Sequence, residues 1–281
     1  MEKFSYPNRC FTCAGCDADC PISLRTGALK PRSLVRLHVL GMTEALLRDP
    51  SIWYCIQCER CARTCPMNVK PSAVIRSARN KALSEGIVNP KFPEMLRQLR
   101  RRLQIARRQA AQDIFYRRIP VDPAQIWQEA ETLQFRGNGL PVTVSTGTRL
   151  QSLKPHKRYM GNSTAVSSCW TCGSCSNACP VSENSDLFSP MFIIRTVNIG
   201  QDTLTARSGE CWLCVACERC IDACPQGVKG AWVIRSVQDI ALRNGEIPPQ
   251  SYEIWRNVDS RLHSLFVDAV RAGLLSAGGN D

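Results

Sequence analysis

The chain has 281 residues, 44% of them apolar, a formal net charge of +12 and 17 cysteines. That length and apolar share suit one large or two ordinary domains with buried cores, and they exclude a peptide or a disordered tail. An odd cysteine count argues against a disulfide framework; the opening MEKFSYPNRCFTC lacks a stretch of signal-peptide length and no run of 18 apolar residues occurs, so the expectation is a cytoplasmic protein whose thiols stay free to bind metal.

A first cysteine group, Cys10, Cys13, Cys16 and Cys20, closes on Pro21. The stretch 31–48, PRSLVRLHVLGMTEALLR, opens with proline and carries its apolar residues near helical spacing, which predicts a helix. A second group, Cys55, Cys58, Cys61 and Cys65, closes on Pro66. After it, Ser72 to Glu85 reads as a helix capped by Ser72 and ended by Gly86. Residues 91 to 118 step Phe92, Leu96, Leu99, Leu103, Ala106, Ala110 and Ile114 along one face, with arginines mostly off that stripe. The expectation is a basic amphipathic helix that packs its stripe and solvates its arginines. Asp122-Pro123 predicts a further helix to about Phe135, with Asp122 as cap. Residues 141 to 168, rich in Ser, Thr, Gly and Lys, read as an extended linker.

The third group, Cys169, Cys172, Cys175 and Cys179, closes on Pro180, and the fourth, Cys214, Cys217, Cys220 and Cys224, on Pro225. Gly230 to Asn244 predicts a helix ended by Gly245. Tyr252 to Leu275 predicts another, followed by a fraying AGGND tail. Cys211 falls outside the four groups.

A shift of 159 residues lays the first two groups on the last two without a gap, with 29 identities over 81 positions. Many lie outside the cysteines, as in Val74-Ile75-Arg76-Ser77 and Val233-Ile234-Arg235-Ser236, so the helices around the groups were copied as well. Each group reads C-x2-C-x2-C-x3-C-P. Three cysteines at intervals of three can face inward from one tight loop, and in two-cluster ferredoxins the cysteine before proline ligates the other cluster. By that rule Cys10, Cys13 and Cys16 go with Cys65, and Cys55, Cys58 and Cys61 with Cys20. In the copy, Cys169, Cys172 and Cys175 go with Cys224, and Cys214, Cys217 and Cys220 with Cys179. Four [4Fe-4S] clusters are expected. Zinc is the competing reading of a lone C-x2-C, but four three-plus-one groups disfavour it, and His38, His156 and His263 are not spaced as finger ligands.

Cys211 is expected not to be a ligand, since Ile52 holds its place in the first repeat. Trp53, Trp170 and Trp212 are expected to shield the clusters from water, and Glu59-Arg60 and Glu218-Arg219 to form local ion pairs. Sixteen thiolates around four cores of +2 would lower the net charge to +4. The basicity therefore reads as counter-charge for cofactors rather than as a nucleic-acid footprint. The fold expected is mainly α: a first dicluster module with its basic helix at 1–118, a linker at 119–168, and a second module with a C-terminal helix at 169–281.

The run CIQCERCARTCPMNVKPSAVIRSARNKAL, preceded by a first group and a helix ending in WYC, resembles the helical dicluster ferredoxin module in the C subunit of heterodisulfide reductase. Related modules occur in the C subunit of anaerobic glycerol-3-phosphate dehydrogenase and in succinate dehydrogenase iron-sulfur subunits. The resemblance covers 10–90 and again 169–249, and implies a non-catalytic electron-transfer subunit. It would work with a heterodisulfide-reductase-type catalytic subunit, acting on a disulfide or sulfur-carrier thiol, and with a flavin or iron-sulfur donor or acceptor. No dinucleotide fingerprint or nucleophile elbow is present. Two alternatives remain open at this level: a peripheral arm of a quinone-linked dehydrogenase, with the basic helix on an anionic membrane surface, and a basic metal-stabilised nucleic-acid-binding protein.

Overall fold

The computed structural model describes residues 6–132, 164–182 and 188–277. Among these residues every regular element is helical, in the tandem arrangement that the repeat implies. The chain forms two compact units, Met1–Arg100 with Ser260–Asp281, and Arg101–Asp259. These units follow packing, whereas the boundaries expected at 118 and 168 follow the sequence repeat.

In the first unit, short helical turns at Gly15–Ala18, Pro21–Thr26, Ser51–Tyr54 and Arg60–Thr64 carry the cysteine groups. Helices α1 (Pro31–Val39), α2 (Thr43–Arg48) and α3 (Pro71–Ser84) frame them. Pro21, Pro31 and Pro71 each stand at the first helical position, where the missing N–H costs nothing and the ring's fixed φ is already helical. The single helix expected over 31–48 is divided, because Gly41 adopts φ 71° and turns the chain between α1 and α2. Pro71 also replaces the expected Ser72 cap, with Lys70 in the left-handed region before it.

Next in the chain is α4 (Phe92–Gln112), which ends in one π-helical turn at Asp113–Arg117. Helix α5 (Pro123–Glu129) is capped as expected, Asp122 Oδ1 accepting from Ala124 N–H at 2.8 Å. It stops at Glu129 rather than near Phe135; the later part of that expectation, and nearly all of the extended linker, lie outside the described residues.

The second unit repeats the first with α6 (Pro190–Asn198), α7 (Asp202–Arg207) and α8 (Gly230–Arg243), and α9 runs from Pro249 to Ala277. The two cores match position for position at the 159-residue offset. Ile22, Leu29, Leu34, Val35, Ile52, Trp53, Val69 and Ile75 are buried in one. Val181, Phe188, Ile193, Ile194, Cys211, Trp212, Val228 and Ile234 are buried in the other. Full burial of such a side chain contributes about 1.5–3 kcal/mol, so each copy retains the apolar support of its own cysteine loops.

Arg97 and Arg101 of the basic helix are exposed as expected, but two of its arginines need correction. Arg107 is fully buried and Arg108 nearly so. Arg107 Nε lies 2.6 Å from Asp259 Oδ1, and Arg108 Nη2 lies 3.3 Å from Glu210 Oε1. A buried cation persists only where a carboxylate and further acceptors compensate it, and a helical stripe alone does not reveal such partners.

Candidate metal centres

In each unit the turn after the second cysteine of one group packs on the matching turn of the other: Gly15–Ala18 on Arg60–Thr64, and Ser174–Asn177 on Arg219–Asp222. This packing brings distant cysteines together. Cys10, Cys13, Cys16 and Cys65 line a cavity of about 380 Å³. Cys20, Cys55, Cys58 and Cys61 line a second of about 310 Å³, and Cys179, Cys214, Cys217 and Cys220 a third of about 300 Å³. Among the described residues no three His, Cys, Asp or Glu side chains converge as a single ion requires. In the remaining set, Cys169 lies close enough to Cys175 to help burial push that thiol up. Val228 N–H meets Cys224 Sγ at 3.3 Å, as Val69 N–H meets Cys65 Sγ at 3.5 Å in the first repeat.

The loops are shaped around their middle cysteines. Thr12 and Ala14 on either side of Cys13, Gln57 and Glu59 around Cys58, Thr171 and Gly173 around Cys172, and Ala216 and Glu218 around Cys217 all have φ between 52° and 82°. Positive-φ residues on both sides of a residue turn main-chain N–H groups of the loop inward, a concavity suited to an anionic group. Two of these N–H groups reach ligand-type sulfurs: Gln57 to Cys55 Sγ at 3.4 Å and Ala216 to Cys214 Sγ at 3.3 Å.

Burial opposes thiolate formation in the metal-free chain. It pushes the Cys16 thiol up to about 12, with Asp17 adding to the effect, Cys20 to about 11 and Cys214 to about 12, and raises Cys61 and Cys220 further. Iron supplies the positive charge that reverses this preference. Four cysteines lining each of three pockets, with main-chain donors on Cys55, Cys65 and Cys214 Sγ, is the donor chemistry a cubane cluster requires.

Several side chains behave differently from expectation. Trp53 and Trp212 are buried, but Trp170 is 64% exposed and cannot shield a cluster. Its position at the lip of a loop, like Phe11 in the first repeat (58% exposed), lies beyond the core that holds the other two indoles. Arg60 pairs with Asp19, and Glu59 lies 3.8 Å from Arg76, so these residues tie the loop to neighbouring elements. Glu218 Oε1 accepts from Trp232 Nε1 at 3.4 Å. Cys211 is fully buried at the place of Ile52 and does not line the cavity of its unit.

Sequence reasoning passed over Arg79 and Arg100. Arg79, buried in the first unit, donates from Nε to Ile52 O at 2.7 Å and from Nη2 to Cys55 O at 2.5 Å. Arg100 Nη2 donates to the same Cys55 carbonyl at 2.8 Å. The one signal in the chain was Arg79 itself, three residues beyond the Arg of the shared Val-Ile-Arg-Ser block and replaced by Gln238 in the copy.

Residues 7–69 and 165–228 each match the family described as the 4Fe-4S dicluster domain. The two matches bring four [4Fe-4S] clusters to the chain. Similar curated proteins include the C subunit of the H2:CoB-CoM heterodisulfide,ferredoxin reductase of Methanothermobacter marburgensis, 35% identical over 81 residues, which are 29% of this chain and 43% of that protein. An iron-sulfur C subunit, numbered 2, of the CoB–CoM heterodisulfide reductase of Methanocaldococcus jannaschii is 38% identical over 77 residues, 27% of this chain and 40% of that one. A protein of Archaeoglobus profundus described as like the heterodisulfide reductase C subunit is 31% identical over 98 residues, 35% of this chain and 50% of its own. The chain thus spans half or less of the length of these relatives. No solved structure matches. The chain thus carries the 4Fe-4S dicluster domain twice in tandem, and around each copy it is similar to C subunits of heterodisulfide reductases.

Proposed function

We propose that this chain is the iron-sulfur electron-transfer subunit of a heterodisulfide-reductase-like oxidoreductase, carrying single electrons to or from a separate catalytic subunit. That subunit would act on a disulfide or a sulfur-carrier thiol, and a flavin or iron-sulfur subunit would stand at the other end. In this reading Cys10, Cys13, Cys16 and Cys65 hold one cluster, and Cys20, Cys55, Cys58 and Cys61 a second. Cys169, Cys172, Cys175 and Cys224 hold a third, and Cys179, Cys214, Cys217 and Cys220 a fourth. The observation that carries the reading is the lining of the cavities, three cysteines from one group and the pre-proline cysteine of the other.

When bound, each cluster supplies reversible one-electron chemistry. The cysteine sulfurs fix its position, and the N–H groups of Gln57, Val69, Ala216 and Val228 offset charge on sulfur. Buried Trp53 and Trp212 keep water from the inner side. Cys13 and Cys172 are exposed, so each repeat has one loop edge at which a partner can approach for transfer. A lipid-facing role for the basic helix is disfavoured because Arg107 and Arg108 are buried and engaged by the carboxylates of Asp259 and Glu210. Among the described residues no helix is long and apolar enough to cross a membrane.

Anaerobic purification with iron and acid-labile sulfide counted tests the reading. About sixteen irons per chain are expected from four cubanes, together with co-purification of a catalytic partner. About eight irons, or zinc in their place, would overturn it.

A further inference from the structure

The two repeats share their cysteines and core but differ in charge. Residues 10–90 contain eleven Lys and Arg against six Asp and Glu, whereas 169–249 contain six against eight. The difference reaches the cysteine loops at one buried position. Arg79 donates to Ile52 O and Cys55 O, the latter the carbonyl of a cysteine that lines the Cys20, Cys55, Cys58 and Cys61 cavity. The offset of 159 residues puts Gln238 there, and its Nε2 donates at 2.7 Å to Cys211 O, the counterpart of Ile52 O. The hydrogen bond is therefore kept in the copy while the charge is removed.

The flanking helices extend this difference. Arg100 on α4 delivers a second guanidinium to Cys55 O. Its counterpart on α9 is Asp259, which in the second unit binds Arg107 at 2.6 Å. Arg107 Nη2 does donate to Leu213 O at 3.2 Å, just ahead of Cys214, but the carboxylate beside it cancels its charge. Arg76 and Arg235 occupy the same place in the two repeats; Arg235 lies close enough to Cys214 to act on it, and Arg76 lies 3.8 Å from Glu59, so the contrast tested below is the one at Arg79 and Gln238.

We infer that the repeats are electrostatically unequal electron sites: Arg79, assisted by Arg100, makes the site lined by Cys20, Cys55, Cys58 and Cys61 easier to reduce than its counterpart lined by Cys179, Cys214, Cys217 and Cys220. A fixed positive charge stabilises the state with one more electron, and burial limits the screening that would erase its effect. Only an electron is added, from the external reductant, so no proton or further reactant is needed. Electrons entering the chain then collect in the first repeat, and the duplication provides a potential step rather than two equal stores. The inference rests on the cluster assignment proposed above.

The test is a mediated, EPR-monitored potentiometric titration of the full-length anaerobic protein, with iron counted in the same sample. Arg79→Gln, which copies the second repeat, is expected to make one of the four midpoints about tenfold less favourable for reduction, a fall of about 59 mV for one electron. Gln238→Arg should raise a different midpoint by a similar amount, and Arg79→Lys should keep most of the native value. Should Arg79→Gln fail to load its clusters, Gln238→Arg alone decides. Sixteen irons with unmoved midpoints in the loaded variants, or equal shifts at all four sites, would overturn the inference. Fewer than sixteen irons in the native protein would instead overturn the cluster assignment.

Discussion

Replacing Arg107 with methionine tests whether the buried pair is a matched unit or merely two polar residues near each other. The Arg107 side chain has no exposed surface and that of Asp259 has 5%. The guanidinium donates to Asp259 Oδ1 at 2.6 Å, Gln104 Oε1 at 2.9 Å and Leu213 O at 3.2 Å. Arg107→Met leaves a carboxylate buried without its cation, which costs about 3–5 kcal/mol. Asp259→Leu leaves the cation without its carboxylate, at a similar cost of about 3–5 kcal/mol. The double variant removes both charges. It still deprives the Leu213 carbonyl and Gln104 of a donor, about 1–3 kcal/mol, but it recovers the desolvation of two ions, so its net loss is expected within about 2 kcal/mol of zero. For a unit of this size each kcal/mol moves the melting temperature by roughly 2–4 °C. The singles should then melt at least about 6 °C below the native protein and the double within about 8 °C of it. The assay is anaerobic thermal melting of the loaded protein, followed by far-UV circular dichroism and cluster absorbance, with all variants at one scan rate because cluster loss is irreversible. A double variant as damaged as the sum of the singles would refute the reasoning.

Three further outcomes follow from the packing and the loops. Gly209→Ala is expected to destabilise the second unit by about 2–4 kcal/mol in the same melts, because Gly209 has φ +83° and an added Cβ would lie 2.8 Å from the Ala111 carbonyl group; an unchanged melt would show that α4 yields there. Cys211→Val should keep all the iron of the native protein, since the side chain fills a core position; loss of about four irons per chain would mark it as a ligand. Ala14→Gly, which copies Gly173, is expected to slow iron release to a chelator or leave it unchanged, whereas Ala14→Val should hasten it, because φ 64° costs a β-branched residue about 1–2 kcal/mol or more; equal release rates in both variants would refute the strain.

Most of the architecture was readable because it is repetitive and local. Cysteine spacing, the prolines that follow and the apolar period of each helix are short-range signals, and the ungapped repeat doubled each of them. The division of 31–48 at Gly41 was less visible, since a single glycine within an apolar period weakens a helix without fixing where it turns. Features set by distant residues were hidden. Nothing along α4 shows that Arg107 meets Asp259, 152 positions away, and Arg79 looks like any helical arginine until its carbonyl partners are known. Trp170 shows the reverse error: its neighbour Cys169 suggested burial, yet residues at loop lips follow the surface and not the sequence next to them.

The left-handed residues around the middle cysteines also bear on how the protein is made. Seven of the eight are not glycine, four in the first unit and three in the second, and at about 1–2 kcal/mol apiece they cost roughly 4–8 and 3–6 kcal/mol, a large share of the net stability of an ordinary domain, about 5–15 kcal/mol. A chain shaped in this way is not a finished vessel waiting to be filled. Loops under such strain are held most readily with the inorganic core in place, which couples folding to cluster arrival. Under iron limitation the cell would hold a loosened polypeptide open to proteolysis rather than a reserve of empty carrier, and the abundance of the protein would then report on the supply of iron and sulfide.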